Sequence, residues 1–472
     1  MPVEIAYTPL GGHRRNSLWL YAGILTIALF AGLLSALAPW WAVIGLIGGI
    51  AVVALTVRDP LFGLMLTLAL ASQAIPGAHV PEIPLGGALV APCEVTILLT
   101  LISSVLNGLI GRYPIKAPSR DFVVTSLLIF AALFTSFFIS SFYFGQKNFV
   151  FPILRNFLPL ALLPFLPSIL SNRQRIALAE NCFIAFGVLI ALFIAVQAFT
   201  NLHVLAGRLE DLGLAQNTGV NRTVLWGPEL LVILALFLIG RQGLRACVAR
   251  VWPVPAVAIL LLGLMGTYTR SFWVATVVAA VLLALFSNGI KGVLRIAAVV
   301  VPLTVLLGAA VFVVNPRIGE AAYTRAFGIT QEIESGDSFG WRGKENAMAI
   351  ESIEKNPVLG IGFNGAYKPA VSTRGHFEGE EIYIHNAYLY FQLKMGLLGS
   401  AILLAFLTLY LRLSRATFSI ADKFDRISAQ SYVVLGVVVL MIGYSGQTIS
   451  RFVTLLIVCL MFSIMKSYAS RD

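Results

Sequence analysis

Charge is what this sequence has least of. Only 12% of its 472 residues are Asp, Glu, Lys or Arg and 58% are hydrophobic, whereas about a quarter of an ordinary soluble domain is charged. That deficit, with a mean hydropathy of +0.88, excludes a soluble multi-domain enzyme. Cysteine is scarce too. Cys93, Cys182, Cys247 and Cys459 all fall inside apolar runs and show no CxxC or Cys/His ligand spacing, which argues against a disulfide framework or a zinc site. No carboxylate cluster has metal-ligand spacing either, and Glu378, Glu380 and Glu381 read as a solvated loop face. Solenoid or propeller repeats and low-complexity tracts are lacking. A cleavable signal peptide is not expected, because the first apolar run after Arg14 and Arg15 is too long for one and lacks a small-residue cleavage pattern.

What the chain has is apolar runs, each near the ~20 residues that cross a ~30 Å hydrocarbon core. They fall near 17–37, 39–57, 60–77, 88–109, 121–143, 149–171, 176–199, 223–240, 251–267, 271–287, 293–314, 385–411, 430–446 and 449–466. The expected fold is therefore an all-α polytopic membrane protein of about fourteen transmembrane helices (12–14), with both termini on one side. Residues 1–314 are expected to form the first eleven helices, 315–384 one large external loop domain, and 385–472 the last three helices. The net charge of +11 is mostly topology. Arg14, Arg15, Arg58, Arg112, Lys116, Arg173, Arg241, Lys291, Arg412 and Lys466 all collect on one face under this count, which makes that face cytoplasmic. No nucleic-acid partner is implied, and the bilayer is the expected surrounding.

Polar residues on the opposite, outer half are the candidates for function, since they are costly inside a membrane. Arg155 and Glu94 sit at similar depth and pair as a structural lock or line a polar cavity. Arg222, Arg270 and Arg451 each mark an outer helix end, against the positive-inside bias. A planar guanidinium suits bidentate contact with phosphate oxygens, so a diphosphate headgroup is the natural ligand for these arginines.

The sharpest local pattern is His385-Asn386 followed after nine residues by Gly396-Leu397-Leu398-Gly399, where the large loop re-enters the membrane. On one continuous helix, His385, Tyr388, Gln392, Gly396 and Gly399 share a stripe. The glycines would then let a neighbouring helix or a lipid tail approach beneath the histidine. The bland alternative makes His385 a helix cap. Lys394, on the far side, is read as snorkelling or buried and is given no chemistry. Trp341–Lys355 reads as a helix stopped by Asn356-Pro357, before a turn-rich Gly360-Ile361-Gly362-Phe363-Asn364-Gly365 run.

The His385, Asn386, Gly396 and Gly399 pattern resembles the O-antigen ligase and O-antigen polymerase superfamily, whose ligases carry His-[Asn/Ser/Gln]-x9-Gly-x2-[Gly/Thr/Tyr] after a large periplasmic loop. Asn356-Pro357-Val358-Leu359-Gly360-Ile361-Gly362 is similar to the family's segment before that motif, and Thr269-Arg270-Ser271 to its arginine-bearing helix start. The resemblance spans roughly residues 207–410; around Arg222 the usual Pro-Asn turn is missing, and Gly227-Pro228-Glu229 follows instead.

The resemblance implies a bacterial inner-membrane glycosyltransferase that is inverting and works without metal, cofactor or nucleotide sugar, its site facing the periplasm. The donor would be an undecaprenyl-diphosphate-linked glycan and the acceptor a glycan or lipid A-core hydroxyl, as in lipopolysaccharide or surface polysaccharide synthesis. Arg222 and Arg270, joined by Arg155 or Arg451, would hold the diphosphate, and His385 would take the hydroxyl proton or donate to phosphate. Within the same chemistry the alternative is an O-antigen or exopolysaccharide polymerase. From another class, a lipid-linked oligosaccharide flippase would call for corresponding halves with broken helices near the midplane, and such halves are not seen.

Overall fold

The computed structural model describes residues 40–76, 82–85, 88–111, 119–146, 150–200, 202, 204–205, 208–211, 221–225, 227–241, 253–327, 338–369 and 380–470. The first expected span, 17–37, and Glu378 lie outside the described residues. Within them, seven helices are long and apolar enough to cross a membrane, and six shorter apolar helices accompany them.

The runs α1 (Trp40–Arg58) and α2 (Pro60–Ala71) are separated by Asp59, whose carboxylate accepts from Leu61 N at 3.0 Å and caps the second helix. Three expected spans begin or continue differently from the hydropathy pattern. The run 88–109 opens as a strand, β2 (Ala88–Val90), paired antiparallel with β1 (Ile83–Leu85), and becomes helical only at α3 (Pro92–Leu109). The run 149–171 is no single helix. Pro152, Pro159, Pro164 and Pro167 each lack a donor N–H, and the chain forms three short pieces, α5 (Val150–Arg155), α6 (Pro159–Leu162) and α7 (Leu166–Ile169). They follow α4 (Arg120–Phe138), which ends in a π-helical turn at Ile139–Tyr143. The run 223–240 starts in β4 (Asn221–Val224), paired with β3 (Arg208–Asp211), and is helical from α9 (Glu229–Gly240).

Between them lies α8 (Arg173–Thr200), against which α9 and α10 (Pro253–Gly266) pack. The 45-residue run α11 (Arg270–Val314) contains a sharp break at Asn288 and at Gly289, where φ is +60°. Because Tyr268, just before its start, and Val311, near its end, share one apolar cluster, the run folds back as two antiparallel helices, matching the two spans read at 271–287 and 293–314. After α12 (Pro316–Phe327) and α13 (Ser338–Lys355), the chain re-enters through α14 (Ala387–Met395) and α15 (Leu397–Thr417), then α16 (Lys423–Ser445) and α17 (Phe452–Ala469). α17 is the most buried of the long spans, with Leu455, Cys459, Ile464 and Met465 fully enclosed.

The two ends of the bundle pair among themselves. At one end Arg175 meets Asp59 at 2.9 Å, Arg173 meets Asp425 at 3.0 Å and Arg241 meets Glu180 at 2.6 Å. At the other, Gln197 donates to Thr223 at 3.0 Å, and Phe363 N donates to Ser140 at 3.1 Å.

Candidate functional site

The loop that carries the site is held down by backbone contacts. After α13 stops at Asn356-Pro357, the segment 358–365 lies in the crook between α14 and α15. Leu397 N donates to Val358 O at 3.0 Å, and Ile361 N donates to Leu393 O at 2.9 Å. Gln146, past the π-turn, clamps the other side, donating to Ile361 O at 3.1 Å and accepting from Asn364 N at 2.8 Å. Lys394 is buried and donates to Gly365 O at 2.6 Å. It ties this loop to α14, with no snorkelling to the surface.

This docking changes the geometry expected of the motif. The helix assumed over 385–411 is broken at Gly396, whose backbone (φ +57°, ψ −137°) no L side chain adopts readily. The five stripe residues therefore do not continue along one helix. What lies against the glycines is neither a lipid tail nor a distant helix. Gly396 meets Val358 and Gly360 of the loop, and Gly399 meets the backbone of Phe391 across the α14–α15 elbow. His385 is not the cap of α14 either. Asn386 is, its side chain accepting from Tyr388 N at 3.0 Å and Leu389 N at 3.3 Å.

His385 is thereby left for another task. Its Nδ1 lies 2.8 Å from Glu345 Oε2, and its backbone N donates to the same oxygen at 3.0 Å. Glu345 projects from α13 and is fully enclosed, while the His385 side chain keeps 29% of its surface exposed. The other carboxylate oxygen, Oε1, accepts from Lys368 Nζ, which is also buried. Trp341 and Tyr367 face this ammonium at 5.4 and 5.5 Å. Tyr367 also donates its hydroxyl to Tyr383 O at 2.9 Å, tying together the two chain segments that hold them. Burial alone would raise the Glu345 carboxyl, but the hydrogen bond and charge of His385, and then Lys368, outweigh it and pull it from 4.5 to about 2.

Tyr383 stacks edge-on against the His385 ring, centroids 4.9 Å apart. Burial pushes its hydroxyl up to about 12, and the neighbouring Arg451 guanidinium opposes that shift. Arg342 lies within electrostatic reach of the same hydroxyl. Arg451 itself precedes the first turn of α17. The turn at Gly227 packs on that first helical turn, against Val453 and Thr454, and leads back to β4 and Arg222. Arg222 is placed by its strand backbone, opposite Glu210, while its side chain lies outside the described residues. Arg270 opens α11 two residues after Tyr268, which shares an apolar cluster with Ala198 at the end of α8. The neighbouring Gln197 bonds Thr223, so the Arg222 and Arg270 backbones border the same end of α8.

Arg155 has an established partner. Its Nε lies 3.3 Å from Glu94 Oε1 and its Nη1 donates to Leu89 O at 2.5 Å, which fastens the β1–β2 hairpin to α5. Two residues on, Phe157 packs edge-to-face on Phe391 of α14 at 6.3 Å. The expected solvated face of Glu380 and Glu381 is corrected at Glu380, which is buried. Among the described residues no group of three or more His, Cys, Asp or Glu side chains is placed to hold a metal ion.

Sequence reasoning missed Glu345, Lys368, Arg342 and Tyr383. Glu345 is 40 positions from His385, and no local spacing connects them. Its one sequence signal is an acid inside a helix with little apolar periodicity, shared by Glu351 and Glu354, which are exposed.

The family model for O-antigen ligase matches residues 255–404, a segment running from α10 through the loop and motif to the first turns of α15. The match supports the O-antigen ligase and polymerase superfamily, and with it a ligase- or polymerase-like membrane enzyme of glycan assembly. No curated protein matches the chain.

Proposed function

We propose that this chain transfers a glycan from undecaprenyl diphosphate to an acceptor hydroxyl at the periplasmic face of the bacterial inner membrane, in the manner of an O-antigen ligase. The observation that carries the reading is the pair of groups flanking Tyr383: the partly exposed His385 imidazole against its ring and the Arg451 guanidinium beside its hydroxyl. A proton acceptor and a fixed cation thus stand at one point where the loop re-enters the helices. That is what displacement at an anomeric carbon next to a diphosphate requires.

In the proposed reaction the acceptor oxygen forms a bond to the anomeric carbon as the bond from that carbon to the diphosphate oxygen breaks. The electron pair leaves with the diphosphate, which Arg270, Arg222 and Arg451 neutralise, and the hydroxyl proton passes to His385. One displacement inverts the anomeric centre. Arg155, already engaged by Glu94, supports the wall of the site. An apolar cavity of about 330 Å³ lined by Tyr388, Leu404, Phe406, Leu440, Ile449 and Met461 begins three residues from His385 and two from Arg451. It offers room for the first isoprene units of the carrier.

Deletion of the gene tests this reading. A ligase leaves long glycan chains on the polyprenyl carrier, and a polymerase leaves single repeats there. Unchanged glycans on both carrier and acceptor reject the enzyme, and repeats trapped on the cytoplasmic leaflet point to a flippase.

A further inference from the structure

We propose that Glu345 is the positioning residue that fixes the His385 ring with Nδ1–H toward its carboxylate and Nε2 as the proton acceptor, and that Lys368 holds that carboxylate in place from its other oxygen. The inference rests on the glycan-transfer reading and specifies the part His385 plays in it.

The geometry is one-sided. Glu345 Oε2 takes both the backbone N–H and the Nδ1 of His385, at 3.0 and 2.8 Å. Two contacts from one residue to one oxygen fix the ring plane as well as its distance. A carboxylate can only accept, so the ring nitrogen facing it must carry the proton, and in the neutral imidazole the lone pair is left at Nε2. Glu345 itself cannot swing away, because it is fully enclosed and Lys368 binds Oε1. Lys368 is in turn enclosed, at 2% side-chain exposure, between the rings of Trp341 and Tyr367. The groups facing the histidine are thus Glu345 and Lys368 from the loop domain, Tyr383 from its own segment, and Arg451 and Arg342 around that tyrosine.

The carboxylate's charge is constant over any useful assay range. Its folded value near 2 lies below the ordinary 4.5, so its tie to His385 is fully present above 4.5 and is lost only as pH falls toward 2. A change of activity near neutral pH therefore reports on a group other than Glu345. Lys368 has a second effect. By neutralising half of Glu345, it limits how strongly the carboxylate can favour a protonated ring.

The test uses the full-length protein in proteoliposomes, with the lipid-linked glycan extracted from a deletion strain as donor. Glu345→Gln should lower kcat about 10- to 100-fold with KM for donor unchanged, because the diphosphate is held elsewhere. Since Glu345→Gln strands a buried ammonium, the double variant Glu345→Gln/Lys368→Met serves as its control. It should fold as the parent does and show the same loss of kcat. Lys368→Met alone should move the acid limb of the kcat–pH profile to higher pH, as the carboxylate then acts on His385 unshared. Recovery of kcat in the double variant would mean that the stranded lysine caused the loss, and would overturn the positioning role. So would an unchanged profile in Lys368→Met, or full kcat in Glu345→Gln. Failure of the underlying reading looks different: His385→Ala would then keep full transfer, or the deletion strain would yield no lipid-linked donor at all.

Discussion

Gly360 and Gly396 lie backbone against backbone. A Cβ on Gly360 would come within 2.7 Å of the Gly396 nitrogen, and one on Gly396 within 2.7 Å of the Gly360 nitrogen. Both adopt positive φ, +68° and +57°, so a side chain at either position is strained as well as crowded. Each alanine substitution should cost about 1–2 kcal/mol from the backbone and about 1–3 kcal/mol from overpacking. The loop should undock, lowering the thermal midpoint and making the 356–369 segment cleavable by protease. An unchanged midpoint and cleavage pattern for Gly396→Ala would show that this contact does not hold the loop.

That contact also marks how far the sequence was legible. Hydropathy located the seven long helices because each is apolar along about 20 residues, and that signal is local. It overran at 88–90, 149–171 and 223–225, where prolines and short hairpins interrupt an apolar composition that looks the same to a hydropathy average. The motif glycines were conspicuous, but their partner was not, because Val358 and Gly360 come from a different segment of chain. Asn386 and His385 are adjacent in sequence, and only the fold divides their work, Asn386 capping α14 and His385 facing Glu345. Glu345 lay furthest from view, since its importance arises from a fold-dependent meeting across the loop.

Orientation can be read directly. After Cys93, Cys182, Cys247 and Cys459 are replaced, single cysteines at exposed Glu351 and Glu354 of α13 should react in intact cells or spheroplasts with an impermeant maleimide. Cysteines at exposed Asn172 and Ser419, at the opposite end of the bundle, should need a permeant reagent. The reverse pattern would place the loop in the cytoplasm and reject a periplasmic site.

The arginines separate by their surroundings. Arg270→Lys keeps the charge but loses the planar fork, so transfer should fall at least about tenfold if diphosphate is bound in bidentate fashion. Arg222→Lys should cost less, since the family's turn is missing there. Arg155 differs in kind, because Glu94 already neutralises it at 3.3 Å. Arg155→Leu should reduce stability, and the paired Arg155→Leu/Glu94→Leu change should restore much of it. Wild-type transfer by Arg270→Lys would refute bidentate recognition at that position, and selective loss of donor affinity in the folded Arg155/Glu94 double variant would return Arg155 to the diphosphate site.

His385 gives the most decisive test, because its alternative role as a helix cap belongs to its neighbour. Asn386→Ala should lose about 0.5–2 kcal/mol of stability while the folded protein turns over normally. His385→Ala should do the opposite: turnover should fall by about 10²- to 10⁴-fold, the loss expected for general acid–base help, with donor binding and melting little changed. If the ring acts as a base it must be neutral at Nε2, so kcat should rise with pH and then level. A ring that donates to phosphate must be protonated, and kcat would fall instead. His385→Gln distinguishes them again, because an amide can donate to phosphate but cannot take up a proton near neutral pH. Substantial rescue by glutamine together with the falling profile would make His385 a diphosphate ligand, and undiminished turnover of purified His385→Ala would remove it from the reaction.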